Sequence, residues 1–375
     1  MTDTAQGSPA PTTLPLAARS DFVDRLRSGS EYVVIPLIAV AISAVLFSMF
    51  LLVLGKDPVE FFSLLWRGGF GTAFSWQNSL LRAAPLILTA LCVALPARAG
   101  LVIIGGEGAL VLGGLFAAMI ALPLKNALPP VVLMPLMAIM AMAAGGFWIG
   151  LVGIMRHARG VNETIASLLM SYIAIAIMNF LVEGPLRDPA SANKPSTGPI
   201  GEGNMVTAIP GTDVHWGLAA GIILAVILWI VIDRTTYGFA LRVTGGNARA
   251  AKAQGLPVGT LMVSCCAIAG ACAGLAGYFE VAAIHGKANA SLIAGYGFTG
   301  ILVAFLARHN PIVIVPVAIL FGGIAAAGGL IQRRMGLPDA SVLLFQSLIF
   351  VVLLISETLY GRLRIFQPRT EAERT

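Results

Sequence analysis

The ionisable and nucleophilic residues of this 375-residue chain are few, and their spacing argues against most chemistry. Glu107, Glu163, Glu280 and Glu357, with Arg82, lie within a few residues of the ends of long apolar runs, and none occupies a run's centre. A charge at mid-bilayer costs at least about 2.5–3.5 kcal/mol on insertion scales, so a central carboxylate would mark proton or ion coupling. Its absence argues against a carrier driven by such a gradient. Hydrolytic chemistry lacks its parts too: there is no HExxH, no GxSxG nucleophile elbow and no GxxxxGK[ST] phosphate loop. His157, His215, His285 and His309 fall in connections or at the edges of apolar runs, as interfacial histidines do. Cys92, Cys265, Cys266 and Cys272 sit inside apolar runs with no metal-ligand spacing, which makes them small packing residues.

The elements that must position these residues are membrane helices. Hydrophobic residues make up 57% of the chain and charged residues 11%, where soluble domains carry about 25% charged. That excludes an ordinary soluble enzyme, a disordered protein and a disulfide scaffold. Apolar runs at 32–54, 81–97, 107–124, 130–155, 161–182, 215–232, 259–284, 292–307, 312–330 and 340–359 predict ten helical spans. The first run is too long for a cleavable signal core of about 7–15 residues. An even number of spans puts both termini on one side, and fifteen Lys and Arg fall on that side against nine on the other. The positive-inside rule makes the termini cytoplasmic. The chain therefore divides into a cytoplasmic tail 1–30, a membrane domain 31–360 and a cytoplasmic tail 361–375. The net charge of +6 reflects orientation and not affinity for nucleic acid.

Three connections stand out. The stretch RAGLVIIGGEG (98–108) joins two spans without a polar linker; it reads either as a broken, re-entrant segment or as a tight interfacial turn, with Glu107 at the next helix N-terminus. The external loop 183–214, rich in Pro, Gly, Ser and Asn, reads either as a cover over a solute or as a solvated connector. The cytoplasmic loop 233–258 contains a short helix with Asn247 as N-cap, the cations Arg249 and Lys252, and a stop at Gly255 before Pro257. So short a helix is marginal alone, so it docks on a soluble motor subunit or on anionic lipid. Uncharged polar groups inside the spans, among them Asn179, suit a pathway for a neutral polar solute as well as helix packing.

Four segments in order resemble the permease subunits of ATP-binding-cassette importers of the branched-chain amino acid and simple-sugar group: PLILTALCVALPARAGLVIIGGEGALVLGG (85–114), GVNETIASLLMSYIA (160–174), TGGNARAAKAQGL (244–256) and GYGFTGILVAFLARHNP (295–311). The stretch 102–109 is most similar to the FNIGGEGQ-like form of the nucleoside-associated subset, with Ile103 and Ala109 where that form has Asn and Gln. The resemblance implies an all-α permease of the second importer type, in a bacterial plasma membrane. It implies a second permease subunit forming a heterodimer, ABC ATPase subunits, an extracytoplasmic substrate-binding lipoprotein, and no cofactor or metal in this chain, ATP being used by the partner. It also implies that Asn247, Arg249, Lys252 and Gly255 couple to the ATPase. Glu107, Asn162, Glu163, Asn179 and Phe298 are the expected pathway residues. A nucleoside is the expected solute, with a simple sugar or a stand-alone facilitator as alternatives.

Overall fold

The computed structural model describes the backbone of residues 16–191 and 193–357, and side chains from residue 34 to 356 within that range. The expected C-terminal tail 361–375, and residues 1–15 of the N-terminal tail, lie outside the described residues; 16–30 are helical. Every regular element among the described residues is a helix: α1 (Leu16–Val53), α2 (Pro58–Gly69), α3 (Ala73–Ala97), α4 (Gly106–Leu124), α5 (Pro130–Arg159), α6 (Glu163–Glu183), α7 (Gly217–Arg234), α8 (Thr236–Gly246), α9 (Ala248–Ala253), α10 (Val258–Phe279), α11 (Tyr296–Leu306), α12 (Pro311–Met335) and α13 (Ala340–Glu357). Each of the ten apolar runs falls mainly on one of these helices, the last as far as the described residues extend. Eight of the helices are long and apolar enough to cross a membrane, while the helical stretches at 290–306 and 340–356 are apolar but shorter.

Local chemistry sets the boundaries. Asp57, Thr72, Asn162, Asn247 and Asn310 each cap a helix by accepting a backbone N–H, and Pro58 and Pro311 stand at first helical positions. α5 and α12 stop on Gly160 and Gly336, both at positive φ. α10 continues into a single π turn, Glu280–His285, that ends at Gly286.

The chain forms two compact units. One comprises α1 up to Phe50 and the end of α13 from Leu348; in it Ser43 Oγ donates to Ala39 O at 2.7 Å and to Leu348 O at 3.4 Å. The other, Leu51–Ser347, is organised around α10, which packs on α3, α4 and α5. Glycines make this packing close: a Cβ at Gly145 would stand 2.9 Å from the backbone of Gly274. All four cysteines are buried and free, as packing residues are. Along α6, Ile165, Leu169, Ile173 and Phe180 point outward, as residues facing lipid or a second membrane subunit do.

Connections in the larger unit gather at two faces. One carries residues 98–105, 160–162, 235–257 and 307–310, joined by Arg98 to His309 and by the approach of Gly100 to Gly245. The other carries 125–129 and 184–216, joined by Lys125 Nζ donating to Pro199 O at 2.9 Å. The 184–216 stretch is folded against the end of α10: Val206 N–H donates to Ala282 O at 2.8 Å, Ile200 N–H to Gly286 O at 2.9 Å and Thr197 N–H to Ala288 O at 2.9 Å.

Candidate functional site

At the first face, α9 forms where its local signals put it. Asn247 Oδ1 accepts from Arg249 N at 3.0 Å and Ala250 N at 3.1 Å, and Gly255 turns the chain at φ +84°. Ala251 is fully buried and anchors the helix, while Asn247, Arg249 and Lys252 are exposed. Lys252 also borders a cavity of about 660 Å³ between the ends of α5 and α10, lined by Ile154, His157, Thr260 and Val263 among others. The preceding helix α8, which carries the chain to this corner, has no separate signature in the sequence reading. Its Thr235 cap is an ordinary ST-turn signal, accepting from Gly238 N at 3.3 Å.

The 98–108 stretch links α3 to α4 through a packed, non-helical segment. Residues 101–104 are non-helical, yet Leu101 and Ile103 are buried. Such backbone needs partners inside the protein, and α6 supplies them. Thr164 Oγ1 donates to Val102 O at 3.0 Å, Ile104 N–H donates to Ser167 Oγ at 3.0 Å and Gly108 N–H to Ser171 Oγ at 3.3 Å. Glu163 accepts from Val102 N at 3.5 Å and pairs with Arg156 Nε at 3.2 Å. Asn162 is exposed and caps α6, accepting from Thr164 N at 3.0 Å.

Glu107, fully buried, reaches across to α11. Its Oε1 accepts from Gly295 N at 2.8 Å and its Oε2 from Gly297 N at 2.6 Å. A carboxylate is a strong acceptor for the positive end of a helix. Gly295, the residue before α11, has no side chain to cap it and lies at φ +77°. Thr89 Oγ1, within α3, donates to Tyr296 O at 3.0 Å. α11 therefore starts beside the interior of α3, which is why the run at 292–307 gives a helix of only eleven residues.

The other expected pathway residues are dispersed. Phe298 is 37% exposed in the first turn of α11, close in sequence to the Glu107 contact. Asn179 is half-buried three turns beyond Ser167 on α6 and joins neither cluster. A second polar locus went unread in the sequence: Arg82, Tyr296, Thr299, Asp339 and Gln346 line a cavity of about 110 Å³. Arg82, a cation nine residues into an apolar helix, and the in-span polar residues Thr299 and Gln346 are its signals in the sequence; their meeting is not.

Of the histidines expected at interfaces, His215 is buried and His309 is half-buried. His215, 4% exposed, accepts from Gly217 N at 3.0 Å on Nδ1 and stacks on Phe279 at 5.9 Å. Burial lowers its pKa from 6.5 to about 4. His309 is likewise lowered to about 4, by burial and then by the neighbouring Arg98 and Arg308.

Apolar spans built on a glycine-packed core define a polytopic helical membrane protein. The family model described as branched-chain amino acid transport system, permease component, matches residues 75–356, and the chain belongs to that family. It is 31% identical over 333 residues to the glucose ABC transporter permease protein TsgB13 of Haloferax volcanii, covering 86% of this chain and 87% of that one. It is 31% identical over 324 residues to the guanosine ABC transporter permease protein NupP of Bacillus subtilis, covering 83% and 90%. A nucleoside ABC transporter permease protein, NupB of Lactococcus lactis subsp. cremoris, is 26% identical over 347 residues, covering 87% and 94%. The chain is an ABC transporter permease subunit, a multi-pass protein of the plasma membrane.

Proposed function

We propose that this chain is the permease of an importer for nucleosides, working by alternating access with ATP hydrolysed on separate subunits. The observation that carries the reading is α9: a short, exposed, doubly cationic helix, capped by Asn247 and pinned by Ala251. A six-residue helix is marginal alone, so its preservation as an exposed unit fits a docking element for a motor. On this reading both termini and α9 are cytoplasmic, and Asn247, Arg249, Lys252 and Gly255 contact the ATPase. A second permease, two ATPase subunits and a substrate-binding lipoprotein complete the complex. The nucleoside assignment is supported by the guanosine and nucleoside relatives and by the GGEG sequence at 105–108. Asn162, Glu163, Asn179 and Phe298 serve the pathway, with Glu107 shaping it through α11. No nucleotide or cofactor is bound by this chain itself, and the 184–216 stretch, tied to the end of α10, receives the lipoprotein. Glucose is the second reading, favoured by the haloarchaeal relative at equal identity.

Replacing Arg249 and Lys252 together with Glu tests the docking assignment. In the assembled complex the substitution should abolish the ATPase stimulation that loaded binding protein produces, at unchanged membrane insertion. Stimulation equal to that of the unsubstituted complex contradicts the assignment.

A further inference from the structure

We infer that residues 98–108 form a bracket that holds α11 at both ends and makes it follow the α8–α9 corner, with Arg98 and Glu107 as its two positioning residues. The inference rests on the motor-docking reading of α9. It goes beyond that reading by stating which part of the pathway moves and through which side chains.

Three contacts carry it. At the start of α11, both oxygens of Glu107 are taken up by Gly295 and Gly297 N–H groups, 2.8 and 2.6 Å away. At its end, Arg98 Nη2 donates to His309 O at 3.1 Å. His309 and Arg308 are the two non-glycine residues at positive φ among the described residues, at +55° and +50°. A turn that non-glycine residues rarely adopt is thus held where Arg98 grips it. Between these clamps the bracket touches the motor corner: the backbones of Gly100 and Gly245 meet so closely that a Cβ at Gly245 would stand 2.9 Å from Gly100 N. Gly245 is two residues before Asn247, the cap of α9.

The bracket is also stiff. Its non-helical backbone is bonded to Thr164 and Ser167 of α6, and a Cβ at Gly105 would stand 2.8 Å from Ile149 Cδ1 and 3.0 Å from Ser167 Cβ. A displacement at Gly245 therefore passes to a body that is packed and bonded along its length, and packed bodies move as units. α11 has no side-chain cap of its own at its N-terminus, so without Glu107 nothing from its own sequence replaces that clamp.

The test uses the complete complex, with partner permease, ATPase subunits and binding protein, in proteoliposomes. Arg98→Met removes one clamp and Arg98→Lys keeps a donor toward His309 O; Glu107→Gln presents an amide N–H where a second acceptor is needed. ATP hydrolysis stimulated by loaded binding protein should stay within about twofold in the two Arg98 variants, whose side chain is no part of the pathway. Solute moved per ATP should fall at least tenfold in Arg98→Met and Glu107→Gln, with Arg98→Lys close to the unsubstituted complex. Should Arg98→Met fail to assemble, Arg98→Ala replaces it in the same comparison with Arg98→Lys. Hydrolysis and uptake falling in proportion, or uptake unchanged, overturns the bracket. An unsubstituted complex that shows no ATP-driven uptake contradicts the transport reading instead.

Discussion

Glu107, His215 and His309 show how far a residue's neighbours decide its role. Read along the chain, Glu107 belongs to its own helix, as a charge near the N-terminus of α4. In the fold it bonds residues 188 and 190 positions away, and no local pattern announces a partner that distant. Asn247 lies at the other extreme: its role as N-cap needs only the N–H groups two and three residues on, so the sequence discloses it. Asn247→Ala should cost about 1 kcal/mol of helix stability, read as weaker ATPase association with the permease fold unchanged. His215 and His309 yield a pH dependence. Each is held neutral with a pKa near 4, where an unfolded imidazole titrates at 6.5. The unfolded chain therefore binds more protons below pH about 6.5, and stability falls as pH drops toward 4 while staying flat in this respect above 7. Thermal melting in detergent should show this decline, and His215→Gln should reduce it; an identical decline in that variant contradicts the assignment for His215.

At the scale of elements, apolar periodicity and length located the ten helices, because burial in lipid demands long apolar segments whatever the tertiary contacts. What it could not locate were depth and breaks. α11 is short because its N-terminus is drawn inward to Glu107 and Thr89, and α2 and α8, at twelve and eleven residues, were missed because neither is a long apolar run. Which helices a glycine brings together depends on tertiary contacts that local sequence does not disclose. Gly145 and Gly274 prove to join α5 and α10. Gly145→Val should force these helices apart, with overpacking on the order of 1–3 kcal/mol or more, and the expected outcome is a melting temperature several degrees lower. An unchanged melting curve would mean that α5 and α10 tolerate a wider spacing.

At the scale of the molecule, scarce charge is the property that links fold to function. Only 11% of residues are charged, and two of the buried acids are held in place: Glu107 by α11, and Glu163 by Arg156 and Val102. Side chains committed in this way are poorly suited to carrying a coupling ion, whereas an exposed basic helix suits a motor supplied by another chain. The family was legible because its motifs sit at the connections that shape the interior: 98–108 and 295–311 meet through Glu107. The solute was less legible, since Ile103 and Ala109, the two departures from the nucleoside-type pattern, are fully buried packing positions.

The most direct measurement is uptake of radiolabelled guanosine into proteoliposomes holding this chain with its partner permease, ATPase subunits and binding protein, with and without ATP. The expected result is ATP-dependent accumulation, competed by other unlabelled nucleosides and not by glucose, and no flux when the chain is reconstituted alone. Guanosine flux through the chain alone, or accumulation of glucose with none of nucleoside, would contradict it.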